Sequence, residues 1–133
     1  MEPGRDLLVV DDDADLAEAL ADALRDEGHA VRVAGDGQEG LALVAERVPD
    51  AIVLDGEMPV LDGAGMVRRL VADDVGHELI PIVLFSGVAD LRRLAARVGT
   101  PYFLPKPSSL DHVIAVVRRA IDERRPPRPE AAA

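Results

Sequence analysis

The acidic triplet Asp11, Asp12 and Asp13 follows an apolar run, Leu7 to Val10, and Asp55, Gly56 and Glu57 follow another, Ala51 to Leu54. Ser86 and Gly87 close the run Ile82 to Phe85, and Lys106, the sole lysine among 15 basic residues, comes just after the run Tyr102 to Leu104. Carboxylates held ~4 Å apart repel by on the order of 4 kcal/mol at an effective dielectric near 20, so either one stays protonated or a cation sits among them. An all-oxygen ligand set with room for water suits Mg2+ or Mn2+ rather than zinc. A divalent ion beside a free carboxylate, a hydroxyl and an ammonium makes a site for a phosphoryl group, whose oxygens the cation and the lysine neutralise. The backbone N–H groups of Gly56 and Gly87 can approach such a group with no side chain in the way. The free carboxylate is then a candidate nucleophile. Singly, these residues have plainer roles: Asp13 or Asp15 as a helix N-cap, Ser86-Gly87 as a turn, Lys106 as a solvated charge.

Whether they meet depends on the elements that carry them. Five short apolar runs, including Ala30 to Ala34, alternate with five helical stripes, the pattern of a parallel sheet covered on both faces. Leu16, Leu20, Ala23 and Leu24 form the first stripe, closed by Gly28; Leu41, Val44, Ala45 and Val48 the second, stopped by Pro49. Met66, Val67, Leu70 and Val71 form the third, and Leu91, Leu94, Ala95 and Val98 the fourth, before Gly99. Leu110, Val113, Ile114, Val117 and Ile121 form the last. Asp36 with Glu39 and Ser108 with Asp111 have capping-box spacing. The first, third and fourth runs are apolar throughout, as strands buried on both faces should be. The second alternates as Val31, Arg32, Val33, and the fifth is bracketed by Pro101 and Pro105, so these two belong at the edges. The expected fold is a single (βα)5 flavodoxin-like, doubly wound α/β sheet of strand order 2-1-3-4-5, which gathers all four polar groups at one carboxyl rim.

Composition narrows the function further. At 133 residues the chain fits one domain. Without cysteine it has no disulfides, thiolate chemistry or cysteine-bound zinc, and the cytoplasm is the default location. No run approaches a membrane span, and a formal charge of -10 disfavours a nucleic-acid surface. Residues 123–133, rich in proline and charge, are expected to be a disordered tail with no output domain. His29, His77 and His112 show no metal-ligand spacing and are expected to be structural or surface residues. The arginine pairs Arg68-Arg69, Arg92-Arg93 and Arg118-Arg119 are expected on solvated helix faces.

VVDDD (Val9 to Asp13), VLDGEMPVLDG (Val53 to Gly63), LFSG (Leu84 to Gly87) and FLPKP (Phe103 to Pro107) together resemble the receiver domain of two-component response regulators over residues 5–122. The resemblance implies that Asp55 accepts a phosphoryl group from the phosphohistidine of a sensor histidine kinase or a histidine phosphotransfer protein. It implies that Asp11, Asp12, Asp55 and the Glu57 backbone carbonyl serve an Mg2+ ion, Asp11 mainly through water. Lys106 and Ser86 would bind phosphoryl oxygens, Ser86 and Phe103 would switch, and the Lys106-Pro107 bond would be cis. The signal would leave through a protein target at the face of the fourth helix, fifth strand and fifth helix. Catalysis is then confined to the domain's own phosphorylation and dephosphorylation.

Several positions depart from the commonest family pattern. Phe103 stands where tyrosine is frequent, and Gly56 leaves the flank of the nucleophile uncovered. Glu57 has an open choice between Lys106 and the metal, and Ser108 stands where phenylalanine often follows. A faint likeness of Asp11-x-Asp13 to haloacid-dehalogenase-type phosphatases makes Asp11 the rival nucleophile, but leaves the D-x-x-MP segment unexplained. The same residues also suit a receiver excised from a hybrid kinase or larger regulator, or a receiver used only for binding.

Overall fold

The computed structural model describes residues 4–73 and 75–130. Five strands, β1 (Asp6–Val10), β2 (Ala30–Ala34), β3 (Ala51–Leu54), β4 (Ile82–Ser86) and β5 (Tyr102–Pro105), form one parallel sheet. Its order is β2-β1-β3-β4-β5, as expected. The helices are α1 (Ala14–Asp26), α2 (Gly37–Glu46), α3 (Gly63–Ala72), α4 (Leu91–Val98) and α5 (Leu110–Glu123), with a short 3-10 turn at His77–Leu79.

Strand periodicity decides which helix covers which face. Leu7 and Val9 of β1 join Val53, Val83, Phe85, Tyr102 and Leu104 in a core sealed by α1 and α5. Leu8 and Val10 point the other way, into a core with Ile52, Leu54 and Ile82 under α2, α3 and α4. Leu7, Leu8, Ile52 and Leu54 are fully buried. Each such side chain contributes roughly 1.5–3 kcal/mol of apolar burial.

The edge strand β2 carries one arginine between its valines, and that side chain has a local use. Arg32 donates to the carbonyls of Leu43 and Arg47 at 2.6 and 2.7 Å, satisfying acceptors at the C-terminal end of α2. At the other edge, Thr100 donates to Ile82 O at 2.5 Å and accepts from Tyr102 N–H at 3.1 Å, closing the turn into β5. Pro105 is the last residue of that strand and pairs with Ser86.

Caps depart from expectation in detail. Asp36 caps α2 through Glu39 N–H, but the Glu39 carboxylate reaches Gly35 N–H instead of returning to Asp36. Ser109, not Ser108, caps α5: its hydroxyl accepts from His112 N–H, while Ser108 donates to Pro105 O at 2.6 Å. The expectation of a disordered tail also needs correction over its described part. Residues 124–130 lie along α4, with Arg128 N–H donating to Gly99 O and Glu130 N–H to Arg97 O, each at 3.0 Å, and with Pro127 buried. Composition misses this because the contacts are made by backbone, on carbonyls that the end of α4 leaves open. Residues 131–133 lie outside the described residues.

Candidate functional site

The strand register sets the site. β1 and β3 pair Val10 with Leu54, so the residues that follow, Asp11 and Asp55, leave the sheet side by side. Each is tied to the neighbouring strand by its own N–H: Asp11 to Ala34 O at 3.0 Å, Asp55 to Val10 O at 2.9 Å. Carboxylate oxygens of Asp11, Asp12 and Asp55 all lie within 4.8 Å of one another. Asp11 and Asp55 are buried, at 5% and 6% exposure, and Asp12 is open to solvent.

Lys106 arrives from the far edge. Its N–H donates to Ser86 O at 3.0 Å, and the Lys106-Pro107 bond is cis, as expected. Its ammonium lies 2.7 Å from Asp11 Oδ2 and 3.5 Å from Asp55 Oδ2, and passes 5.5 Å from the centre of the Phe85 ring. Burial pulls the Lys106 ammonium down, but the hydrogen bond and charge of Asp11, with the charge of Asp55, outweigh it and hold Lys106 above the ordinary lysine range. Burial pushes the Asp55 carboxyl above the ordinary range, the Asp11 charge adds to this, and Lys106 opposes it. One ammonium therefore does not neutralise three carboxylates. That deficit, on a cluster of oxygen donors, fits a divalent cation with Asp11, Asp12 and Asp55 among its ligands.

The two central carboxylates are held differently. Both Asp11 oxygens are engaged at close range, Oδ2 by Lys106 and Oδ1 by Asp13 N–H at 2.9 Å. Asp55 is held loosely, with Oδ1 3.3 Å from Glu57 N–H and Oδ2 3.5 Å from Lys106. Asp13 itself caps α1 through Leu16 N–H.

Ser86 is buried at the end of β4, and its hydroxyl accepts weakly from Val88 N–H at 3.4 Å. Gly87 is exposed beside it, where an added methyl group would meet only Lys106 Cβ at 3.7 Å. Phe103 is half-buried in β5. The exposed Glu57 makes no ion pair with Lys106, which is taken by Asp11 and Asp55. The expected open flank at Gly56 is corrected: Gly56 is buried, and Leu94 from α4 fills the space its missing side chain leaves. In the sequence Leu94 belongs to an apolar helical stripe, and nothing in that spacing ties it to a residue 38 positions earlier. The histidines stay away from the rim: His29 Nδ1 accepts from Arg5 N–H at 3.0 Å, His77 opens the 3-10 turn, and His112 is exposed on α5.

The family model described as "Response regulator receiver domain" matches residues 7–118. The response regulator MprA of Mycolicibacterium vanbaalenii is 38% identical over 121 residues, 90% of this chain and 52% of that protein. MprA of Mycobacterium leprae is 37% identical over the same share. The chain thus spans about half the length of the curated relatives it matches. Among solved structures, the receiver domain of NtrX from Brucella abortus is 33% identical with a TM-score of 0.79, over 87% of this chain and 98% of that one. The receiver domain of sensor histidine kinase PA1611 from Pseudomonas aeruginosa, with a magnesium ion coordinated in its active-site cleft, is 25% identical with a TM-score of 0.80. That likeness covers 90% of this chain and 98% of that one.

Proposed function

Because this chain belongs to the receiver-domain family of two-component response regulators, we propose that Asp55 is its phospho-acceptor and that phosphorylation switches its contacts with a protein target. The observation that carries the assignment is the unequal hold on the two buried carboxylates. Asp11 is fixed by Lys106 and Asp13 N–H, whereas neither Asp55 oxygen has a partner nearer than 3.3 Å. A loosely held carboxylate keeps a lone pair for attack.

An Asp55 oxygen forms a bond to phosphorus as the P–N bond of a phosphohistidine breaks, and the donor imidazole leaves with the electron pair. The donor is a sensor histidine kinase or a histidine phosphotransfer protein. Asp11, Asp12, Asp55 and the Glu57 carbonyl hold Mg2+ or Mn2+, which when bound neutralises charge on the transferring oxygens. Lys106 moves from Asp11 toward a phosphoryl oxygen, the Ser86 hydroxyl donates to another, and N–H groups at Gly56 and Gly87 line the approach. Phe103, half-buried, follows Ser86 and changes the face built by α4, β5 and α5 where the target binds. No nucleic-acid contact by this domain is proposed. Among the described residues no helix is long and apolar enough to cross a membrane, and the proposed location is the cytoplasm.

Intact-mass measurement after incubation with Mg2+ and acetyl phosphate, or with a phosphorylated kinase, tests the assignment. One phosphoryl mass is expected on the native chain and none on Asp55→Asn. Turnover of small phosphomonoesters that survives Asp55→Asn would instead make Asp11 the nucleophile of a phosphatase. A native chain that never gains the mass would leave a binding module only.

A further inference from the structure

Gly56 follows the proposed nucleophile, and the wall on that side of the site comes from another element. A methyl group placed on Gly56 would overlap Leu94 Cδ2 and lie 3.0 Å from Ser86 Oγ. The Leu94 side chain, from the second turn of α4, therefore occupies the place of a Gly56 side chain and stands beside the hydroxyl assigned to the phosphoryl group. The other neighbours of the Asp55 carboxylate are polar: Lys106 at 3.5 Å, and the cluster with Asp11 and the exposed Asp12. On the Gly56 side a cavity of about 320 Å³ opens to solvent, lined by Gly56, Glu57, Val88 and Arg93 with Leu94 among them. Leu94 is half-buried and packs on the α2–α3 core, while Arg93 and Arg97 on its helix are exposed. Among the α4 residues that line this cavity, Leu94 is the apolar one, beside Arg93 and Arg97.

We propose that Leu94 is the wall that limits water access to phosphorylated Asp55, so that the position of α4 sets the lifetime of the aspartyl phosphate. Hydrolysis needs a water to attack phosphorus while the Asp55 O–P bond breaks, releasing inorganic phosphate and the carboxylate. A hydrocarbon group at the mouth neither orients that water nor accepts its proton. Any shift of α4 that lifts Leu94 from Gly56 admits water, and any contact that holds α4 down keeps it out. Leu94 acts as a positioning residue and touches no reacting atom.

The inference rests on Asp55 being the phospho-acceptor, and one experiment separates the two. The full chain is loaded with acetyl phosphate and Mg2+, the donor is removed by desalting, and loss of the phosphoryl mass is followed. Leu94→Ala is expected to shorten the lifetime by about fivefold, the scale of a small barrier change. Leu94→Met, which keeps an apolar wall, should stay near the native rate. In Gly56→Ala/Leu94→Ala the new methyl group enters the vacated space and should recover part of the lifetime. If Leu94→Ala does not fold, Leu94→Val, one carbon shorter, must still decay faster than native. A native chain that labels while Leu94→Ala decays at the native rate overturns this proposal alone. A native chain that never labels overturns the phospho-acceptor reading and this proposal with it.

Discussion

The Lys106 ammonium is bound to Asp11, at 2.7 Å, and stands 0.8 Å farther, at 3.5 Å, from the neighbouring Asp55. The lysine would therefore compete with any cation that binds Asp11. Lys106→Ala should leave the buried carboxylates without their cationic partner and lower stability without metal by about 1–3 kcal/mol. Added Mg2+ should then raise the melting temperature of Lys106→Ala by more than that of the native chain, because the ion no longer displaces a competitor. Thermal melts with and without Mg2+ check this. Equal shifts would mean that lysine and ion do not share these oxygens.

Val60, in the loop between β3 and α3, has φ 70° and is 80% exposed. A β-branched side chain in the left-handed region is strained and recovers little by packing there. Val60→Gly should relieve that strain, offset in part by the larger freedom of glycine in the unfolded chain, for a net gain of up to about 1 kcal/mol. Urea unfolding measures it, and a loss of stability would show that Val60 is held by contacts that outweigh its backbone.

Gly99 ends α4 with φ 76°, and the carbonyl of Arg128 lies where a side chain would begin. Gly99→Ala should cost about 1–3 kcal/mol and displace residues 124–130 from α4. Limited trypsin digestion reads the displacement at the Arg124–Arg125 bond, since Arg125 and Arg128 each precede a proline and resist cleavage. Cleavage there should quicken in Gly99→Ala while cleavage within α1 does not.

His29 supplies the pH dependence. Burial holds its imidazole below the ordinary histidine range, with Arg118 and Arg5 acting the same way against Glu27 and Asp50. The neutral Nδ1 also accepts from Arg5 N–H. The unfolded chain thus takes up this proton first: the His29 contribution is complete above about pH 6.5 and declines as pH falls through the lowered folded value. His29→Gln, whose amide oxygen also accepts, should flatten the loss of stability between about pH 7 and 5.5 relative to native. Parallel denaturation curves across that range would assign the dependence elsewhere.

Much of this architecture is legible because its causes are local or periodic. Uninterrupted apolar runs at Leu7 to Val10 and Ile82 to Phe85 mark central strands, and Arg32 between valines marks an edge. The same register places Asp11 beside Asp55, so the acidic cluster follows from two strand ends and a topology rule. What escapes is decided across the sequence. Leu94 reaches Gly56 only once α4 is docked, and Arg128 meets Gly99 only through backbone atoms that carry no compositional signal. The shift of the α5 cap from Ser108 to Ser109 is local, but both residues are serine, so residue type cannot choose between them.

Pro105 ends the outer strand of the sheet, within the face assigned to the target. Having no N–H, it removes a rung from the ladder that an incoming extended segment would need. A partner at this face therefore gains little by adding a strand, and must be recognised by shape and side chains. The same missing donor makes this margin a poor template for edge-to-edge pairing of copies, so the surface can stay open to a partner without inviting fibres.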